Sequence, residues 1–311
     1  MQKVILFGTG KIAKRIYEKG IYNIVAVIDN KSVGEDWNGI PYIGIDEYKQ
    51  SYNNINIKIS TAKFFKEIRA QLISEGIFNF SLAAEACIDP TAYKDTDIEH
   101  GAWPQYLEKL CDKKGFKVLE IGSRVQTGAN WRGLFKHADY VGFDYYEGDN
   151  VDVVGDAHHL SSYFNEKFDL IFSSAVFEHI AMPWVVSMEI IKLLNVGGYV
   201  FIETHYSFSR HEFPWHFFQF SENALNVLFP EKFGIQCIKK GVCNPLQNAE
   251  FSEYASPYLK GRMVGALYCH SEFLGRKIRE VSEDCLNWAN VRTPDVVNGT
   301  MYPKHDWLPQ S

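Results

Sequence analysis

Gly122, Asp144 and Asp156 stand at intervals that suit a nucleoside-bearing cofactor. Gly122 closes the apolar run Lys117-Val118-Leu119-Glu120-Ile121, and a residue without a side chain lets a ligand approach the backbone closely where a strand turns into its helix. Asp144 ends Val141-Gly142-Phe143-Asp144, 22 residues beyond Gly122. That is the separation of one strand-helix-strand unit, and a carboxylate at such a strand tip can accept both ribose hydroxyl protons. Asp156, in Val153-Val154-Gly155-Asp156-Ala157, takes the next strand end, where a polar group can meet an adenine. Further on, His205, His211 and His216 place three of the chain's ten histidines within twelve positions, and His179 precedes them. Histidine titrates near neutral pH, so it can take the proton of an alcohol that is otherwise a weak nucleophile. His205 ranks first as such a base, with His179, His211 and His216 behind it. An amine or carboxylate acceptor would need no strong base, and the histidines would then only orient it. Packing of the loop or of a dimer interface is the plain alternative for any single one.

These residues need an alternating α/β framework to hold them. A helix at Pro104 to Lys113 leads into the strand at Lys117 to Ile121, and further strands are expected at Tyr140 to Phe143, Val151 to Val154, Phe168 to Phe172 and Gly198 to Glu203. The pattern is a doubly wound sheet, in which ligands sit at the carboxyl ends of the strands. Ser173 to Ile180 and Glu203 to Phe220 should therefore line an acceptor site, with Glu178, Tyr206, Ser207, Trp215 and Phe218 as contacts. Beyond them come a helix near Ser221 to Leu228 and a strand from Val264 to Cys269. Upstream, strands at Val4 to Phe7, Ile24 to Ile28, Ile40 to Ile43 and Ile55 to Ile59 alternate with helices and imply a smaller parallel sheet. Asp89-Pro90 and the polar stretch through Glu99 break that pattern. The expected division is residues 1–88, a linker at 89–102, and 103–311.

The size, 311 residues, agrees with two domains. A formal charge of −6 without a long basic run argues against nucleic acid as a partner. Six scattered cysteines, with no C-x-x-C pair, read as reduced thiols, and no metal is expected. The amino terminus is too short in apolar residues for a signal peptide and no stretch approaches a membrane span, so the expected location is the cytoplasm, without membrane association.

Val118-Leu119-Glu120-Ile121-Gly122, Gly142-Phe143-Asp144, Gly155-Asp156-Ala157-His158, Phe168 to Ser173 with Glu178-His179, and Leu194 to Gly198 resemble, in order, the motifs of class I S-adenosylmethionine (SAM)-dependent methyltransferases. The resemblance implies a Rossmann-like doubly wound C-terminal domain, SAM as cofactor, and methyl transfer. It places Glu120 and Gly122 beside the methionine moiety, Asp144 on the ribose, Asp156 and Ala157 on the adenine, and Ser173 at the end of the fourth strand. Ser123 and Arg124 replace the usual glycine-rich turn, with Gly128 as a late hinge. A nicotinamide site would want G-x-G-x-x-G at Gly122, which Ser123-Arg124-Val125 does not supply.

The histidine-rich, aromatic loop also resembles the glycan-cluster branch of that family, whose members act on sugars or sugar nucleotides in capsule or lipopolysaccharide assembly. The implied partner is a small sugar or nucleotide sugar, and a homodimer is left open. Gly8-Thr9-Gly10-Lys11-Ile12-Ala13, with Asp29 at the next strand tip, resembles a dinucleotide fingerprint. With Gly39 to Gly44 it is more similar to the small nucleotide-sugar-binding domain ahead of some sugar acetyltransferases, so Gly8, Gly10, Lys11 and Asp29 become candidates for holding a nucleotide. Two other functions compete: a nicotinamide-dependent sugar oxidoreductase built on Gly8 to Asp29, and a non-catalytic nucleotide-sugar-binding scaffold. The first lacks a Tyr-x-x-x-Lys arrangement; an intact Asp144 and a full loop after strand five argue against the second.

Overall fold

The computed structural model describes residues 1–31, 36–61, 63–83, 100–126, 128–246, 249–252, 254–265, 267–292 and 295. The chain divides into two compact units, Met1–Thr91 with Pro245–Tyr268, and Ala92–Asn244 with Cys269–Ser311. The boundary expected near Ala86 to Pro90, with most of the linker, lies outside the described residues. The expected assignment of 103–311 to one domain differs from this division, because 245–268 groups with the first unit. Met263 packs into that unit's core and Arg69 pairs with Glu250 at 2.5 Å. Such long-range contacts leave no local periodicity to read.

In the first unit, β1 (Lys3–Phe7), β2 (Asn23–Ile28), β5 (Asn56–Ile59) and β6 (Phe80–Leu82) form a parallel sheet in the order β2-β1-β5-β6. A small hairpin, β3 (Asp36–Trp37) and β4 (Ile40–Pro41), precedes the one-turn α2 (Ile45–Glu47). Val4, Ile5 and Leu6 of β1 are fully buried, each stabilising the unit by about 1.5–3 kcal/mol relative to exposure. α1 (Lys11–Lys19) turns Ala13 and Ile16 inward and ends at Gly20 in the left-handed conformation, whose N–H bonds Ile16 and Tyr17 carbonyls. α3 (Phe65–Ser74) buries Phe65, Ile68 and Leu72 at helical spacing.

The second unit is built on seven strands in the order β12-β13-β11-β10-β7-β8-β9. α4 (Trp103–Cys111) leads to β7 (Lys117–Ile121), followed by β8 (Asp139–Asp144), β9 (Val153–Val154), β10 (Phe168–Ser174), α5 (Pro183–Leu193), β11 (Leu194–His205), α6 (Glu222–Leu228), β12 (Ile235–Pro245) and β13 (Tyr268–Lys277). β8, β7, β10 and β11 run parallel, while β13 runs antiparallel to β11. β7 and β10 are central and nearly continuous in apolar residues because both faces are covered. Leu119, Ile121 and Ile171 join one cluster with α5, and Val118, Phe172 and Phe201 join another with Trp103 and Leu107 of α4. Trp103 stacks on Phe201 with ring centroids 4.9 Å apart. The order reverses between β7 and β10, which puts a topological switch point beside Gly122.

Several elements differ from the sequence expectation. Strand Val151 to Val154 shortens to β9, Gly198 to Glu203 lengthens to β11, and Val264 to Cys269 gives way to β13, which starts at Tyr268. β12 was not expected at all. It is an edge strand whose exposed Gln236 to Ile238 and half-buried Lys239-Lys240 lack apolar alternation, as edges that resist further pairing do. Among the described residues the turn at Gly122 enters no α-helix before β8, only a single 3₁₀ turn at Arg132–Leu134.

Candidate functional site

The carboxyl ends of β7, β8 and β9 present the expected cofactor residues. Gly122 has φ +82°, and a Cβ there would stand 2.1 Å from Val176 Cγ2. Its N–H and that of Ser123 donate to the Phe143 carbonyl at 2.8 and 3.1 Å, so the turn hooks back onto β8. Asp144 accepts from the Arg124 amide at 3.2 Å and the Tyr146 amide at 2.9 Å. The Arg124 side chain lies over the Tyr146 ring, its Nε 3.5 Å from Asp144 Oδ1. Asp156 caps the 3₁₀ turn Ala157–Tyr163, its Oδ1 accepting from the His158 amide at 2.9 Å and facing His158 Nδ1 at 2.6 Å. Burial pushes this carboxyl up, but the amide and ring of His158 outweigh it and hold the group below its usual range.

Glu120 and Ser173 face inward. Glu120 accepts from the Tyr140 hydroxyl beneath the strand tips, and burial pushes its pKa up to about 8 against the opposing effects of Asn150 and Arg132. Ser173 is fully buried and donates to the Ile121 carbonyl at 3.0 Å, bolting β10 to β7. β10 runs one residue further, to Ser174. Ser123 is 2% exposed. All three are thus buried at the carboxyl ends of β7 and β10.

At the ends of β10 and β11 the histidines gather around one carboxylate. Glu178 is fully buried in the turn Phe177–His179. Its Oε2 accepts from Thr204 Oγ1 at 2.6 Å, and its Oε1 stands 2.7 Å from His205 Nδ1. Burial raises the Glu178 carboxyl, and His205 and Thr204 more than offset this, leaving it lowered. His205 ends β11 and stacks on Phe208 at 4.4 Å. The Glu178 carbonyl takes the amides of Phe217 and Phe218, and Phe220 N–H donates to the His205 carbonyl, which folds the loop back over the turn. His179 and His211 approach at 3.1 Å between Nε2 atoms, with the His216 ring 4.7 Å from that of His211. Trp215 reaches Tyr145, the residue after Asp144, with ring centroids 5.4 Å apart. The loop after β11 and the tip of β8 thus meet at the exposed Trp215 and Tyr145, while Phe208, also exposed, lies beside His205 and His211.

Residues 96–239 match the sequence model of a methyltransferase domain. Those residues form a methyltransferase domain. Among solved structures, YcgJ from Bacillus subtilis is similar at 15% identity over 59% of this chain and 100% of its own, with a TM-score of 0.42. A SAM-dependent methyltransferase from Archaeoglobus fulgidus is similar at 16% identity over 56% of this chain and 94% of its own, TM-score 0.39. The N-methyltransferase NodS from Bradyrhizobium japonicum is similar at 14% identity over 57% and 95%, TM-score 0.37. No curated protein matches. Among the described residues no helix is long and apolar enough to cross a membrane.

Within the methyltransferase domain, Glu178 is not an open acceptor contact but a buried carboxylate 2.7 Å from the His205 ring. Phe218 packs on Phe220 at 5.6 Å, and the Tyr206 and Ser207 amides donate to the Cys269 carbonyl. Sequence reasoning missed a second polar group behind His205. His270 of β13 lies opposite it in register, with rings 5.5 Å apart, and stacks on His100 at 4.2 Å. Glu203 and Glu272 are opposite one another on the same strands; Ser174 donates to Glu203 at 2.5 Å and His100 Nδ1 lies 2.8 Å from Glu272. Burial pushes Glu203 up to about 7 and, with His100 and His205 nearby, pushes His270 down to about 4. Only the antiparallel register brings these residues together, and no spacing along the chain signals it.

In the first unit, Gly8 has φ +99° and Gly10 caps α1 with open space above its Cα. Asp29 accepts from Thr9 Oγ1 at 2.6 Å, Thr9 N at 3.0 Å and Lys31 N at 2.9 Å. The acid thus closes its own loop, and the amides at Gly10 and Lys11 are what the loop offers a phosphate. A groove of about 480 Å³ lined by Met1, Tyr17, Tyr22, Asn23, Ile24, Asn38 and Ile40 includes the amino ends of β1 and β2, away from Gly8.

Proposed function

We propose that the enzyme methylates a hydroxyl of a sugar or sugar-derived acceptor, of the kind assembled into capsule or lipopolysaccharide, with His205 as base. The observation that carries this reading is the Glu178–His205 pair. A buried carboxylate oxygen 2.7 Å from Nδ1 sets a negative charge beside the ring, leaving Nε2 to take a proton. In the step, the acceptor O–H proton passes to His205 and the oxygen pair forms the O–CH₃ bond. The S–CH₃ bond breaks with its electrons on sulfur, giving S-adenosylhomocysteine. The exposed rings of Tyr145, Trp215 and Phe208 offer flat apolar faces against which a sugar ring can lie.

Incubation with SAM and a panel of free and nucleotide-linked sugars tests the reading by the mass gain of one methyl group. Methylation confined to amines or carboxylates would overturn it. The first unit is read as holding the nucleotide end of such an acceptor at Gly10 and Lys11; titration with UDP, CDP and GDP checks this, and binding of none removes it.

A further inference from the structure

Four side chains around the His205 loop bring donor atoms together in a way that general-base chemistry leaves unexplained. Glu178, His205 and His211 each offer one ligand atom within 4.8 Å of the others. His179 Nε2 stands 3.1 Å from His211 Nε2 and 3.8 Å from Glu178 Oε1, while His211 Nε2 is 3.9 Å from the same oxygen. The far ring nitrogens decide what these edges present. His179 Nδ1 lies 3.0 Å from the Trp215 carbonyl and His211 Nδ1 lies 2.9 Å from the Ser209 carbonyl. A carbonyl oxygen only accepts, so both Nδ1 atoms carry a proton, and the tautomer with Nδ1 protonated alone presents a lone pair at each Nε2. Two lone pairs then face each other beside a fully buried carboxylate oxygen that receives no aligned hydrogen bond. In that tautomer these groups repel unless a proton or a metal ion lies among them.

We propose that Glu178 Oε1, His179 Nε2 and His211 Nε2 bind a divalent transition-metal ion. Two imidazoles and one carboxylate suit zinc, iron or manganese, and metal–ligand distances near 2.0–2.2 Å imply ligand separations of about 3.3 Å in a tetrahedron. The observed 3.1, 3.8 and 3.9 Å bracket that value. The carbonyls behind both rings are the outer partners that fix the metal-binding tautomer. His205 differs, since its Nδ1 is turned to Glu178 and it keeps its place as base. Three protein ligands leave a coordination position open, where an acceptor hydroxyl would lose its proton more readily. That catalytic role rests on the sugar O-methylation reading above; binding of the ion does not. The ion would also tie the turn after β10 to the loop after β11. The sequence alone gives no sign of it, because the ligands are 32 residues apart and the spacing follows no metal motif. His100, Glu203 and His270 form a second cluster. There Asn244 Nδ2 lies 3.0 Å from His270 Nδ1, which turns the protonated Nε2 toward Glu203 and leaves no lone pair for a metal.

The test uses the full-length protein stripped with a chelator, titrated with Zn²⁺ by calorimetry and with Co²⁺ by visible absorption. One Zn²⁺ per chain is expected, with affinity falling about 100-fold or more in His179→Ala and in His211→Ala. His270→Ala should keep it. S-adenosylhomocysteine affinity unchanged within roughly twofold shows that each variant is folded. No uptake by the wild type, uptake unaltered in both loop variants, or uptake lost in His270→Ala but kept in His179→Ala overturns the proposal. Should the alanine variants fail to fold, the wild-type Co²⁺ spectrum decides: bands of a four- or five-coordinate nitrogen and oxygen site support it, and their absence overturns it. Metal uptake without methylation of any hydroxyl would count against the sugar reading alone.

Discussion

Arg124 holds Asp144 twice, by an amide that donates to Oδ2 at 3.2 Å and by a guanidinium whose Nε stands 3.5 Å from Oδ1. Only the amide contact is independent of the side chain, so the two can be separated by mutation. Asp144→Asn should weaken S-adenosylhomocysteine binding about 10- to 100-fold, the value of hydrogen bonds to a charged acceptor. Arg124→Ala should weaken it far less, since the amides of Arg124 and Tyr146 still position the carboxylate. Calorimetry on both variants checks this, and equal losses would mean that the guanidinium itself binds the cofactor.

Gly122 pairs a left-handed backbone with a contact that forbids a side chain. At φ +82° an alanine is strained by about 1 kcal/mol, and its Cβ would also meet Val176 Cγ2 at 2.1 Å. Gly122→Ala should therefore lower stability by roughly 2–4 kcal/mol. Adding Val176→Ala should restore the steric part and leave the conformational part. A double-mutant cycle in thermal or urea unfolding measures the coupling; additive losses would show that Val176 moves aside freely.

Gly122, Asp144 and Asp156 were legible as neighbours because each ends or closely follows a strand of the sheet. Gly122, Asp144 and Asp156 need only the parallel order β7-β8-β9 to converge, and an apolar run closed by a polar residue records that order in the chain. His205 was legible for the same reason, as the last residue of β11. What sequence could not supply depends on pairing between distant segments. His270 reaches His205 through an antiparallel register, and Met263 joins the first unit's core, whose nearest member in sequence, Leu82, is about 180 positions away. The burial of Glu120 and Ser173 was likewise hidden, because a strand covered on both faces shows no alternation that separates buried from exposed positions.

Glu120 makes the domain's stability fall as pH rises. Its folded-state pKa of about 8 lies above the ordinary carboxyl range because of burial. The native state therefore binds the proton more tightly than the unfolded chain. Its contribution is fully present below the unfolded pKa near 4.5, declines as pH rises, and is lost by the time pH passes 8. The change is on the order of a few kcal/mol. Glu120→Gln keeps an oxygen to accept from Tyr140 and cannot ionise. Urea unfolding from pH 5 to 9 should show a flatter profile for this variant and greater stability than wild type at pH 9; parallel profiles would remove Glu120 as the cause.

His205 and Glu178 should separate chemistry from cofactor binding. Neither contacts the Asp144 end of the site directly, while His205 carries the proton-accepting nitrogen and Glu178 sets its charge beside the ring. His205→Ala should lower kcat by about 10²- to 10⁴-fold, the usual contribution of a general base, with S-adenosylhomocysteine affinity intact. Glu178→Gln keeps the shape and the Thr204 contact but removes the negative charge beside the ring. It should therefore lower kcat with little change in the acceptor KM. Single-turnover methylation followed by mass spectrometry, with circular dichroism to establish folding, measures both. A folded Glu178→Gln variant with wild-type kcat would mean that the carboxylate serves packing and loop closure, and that His205 acts without it.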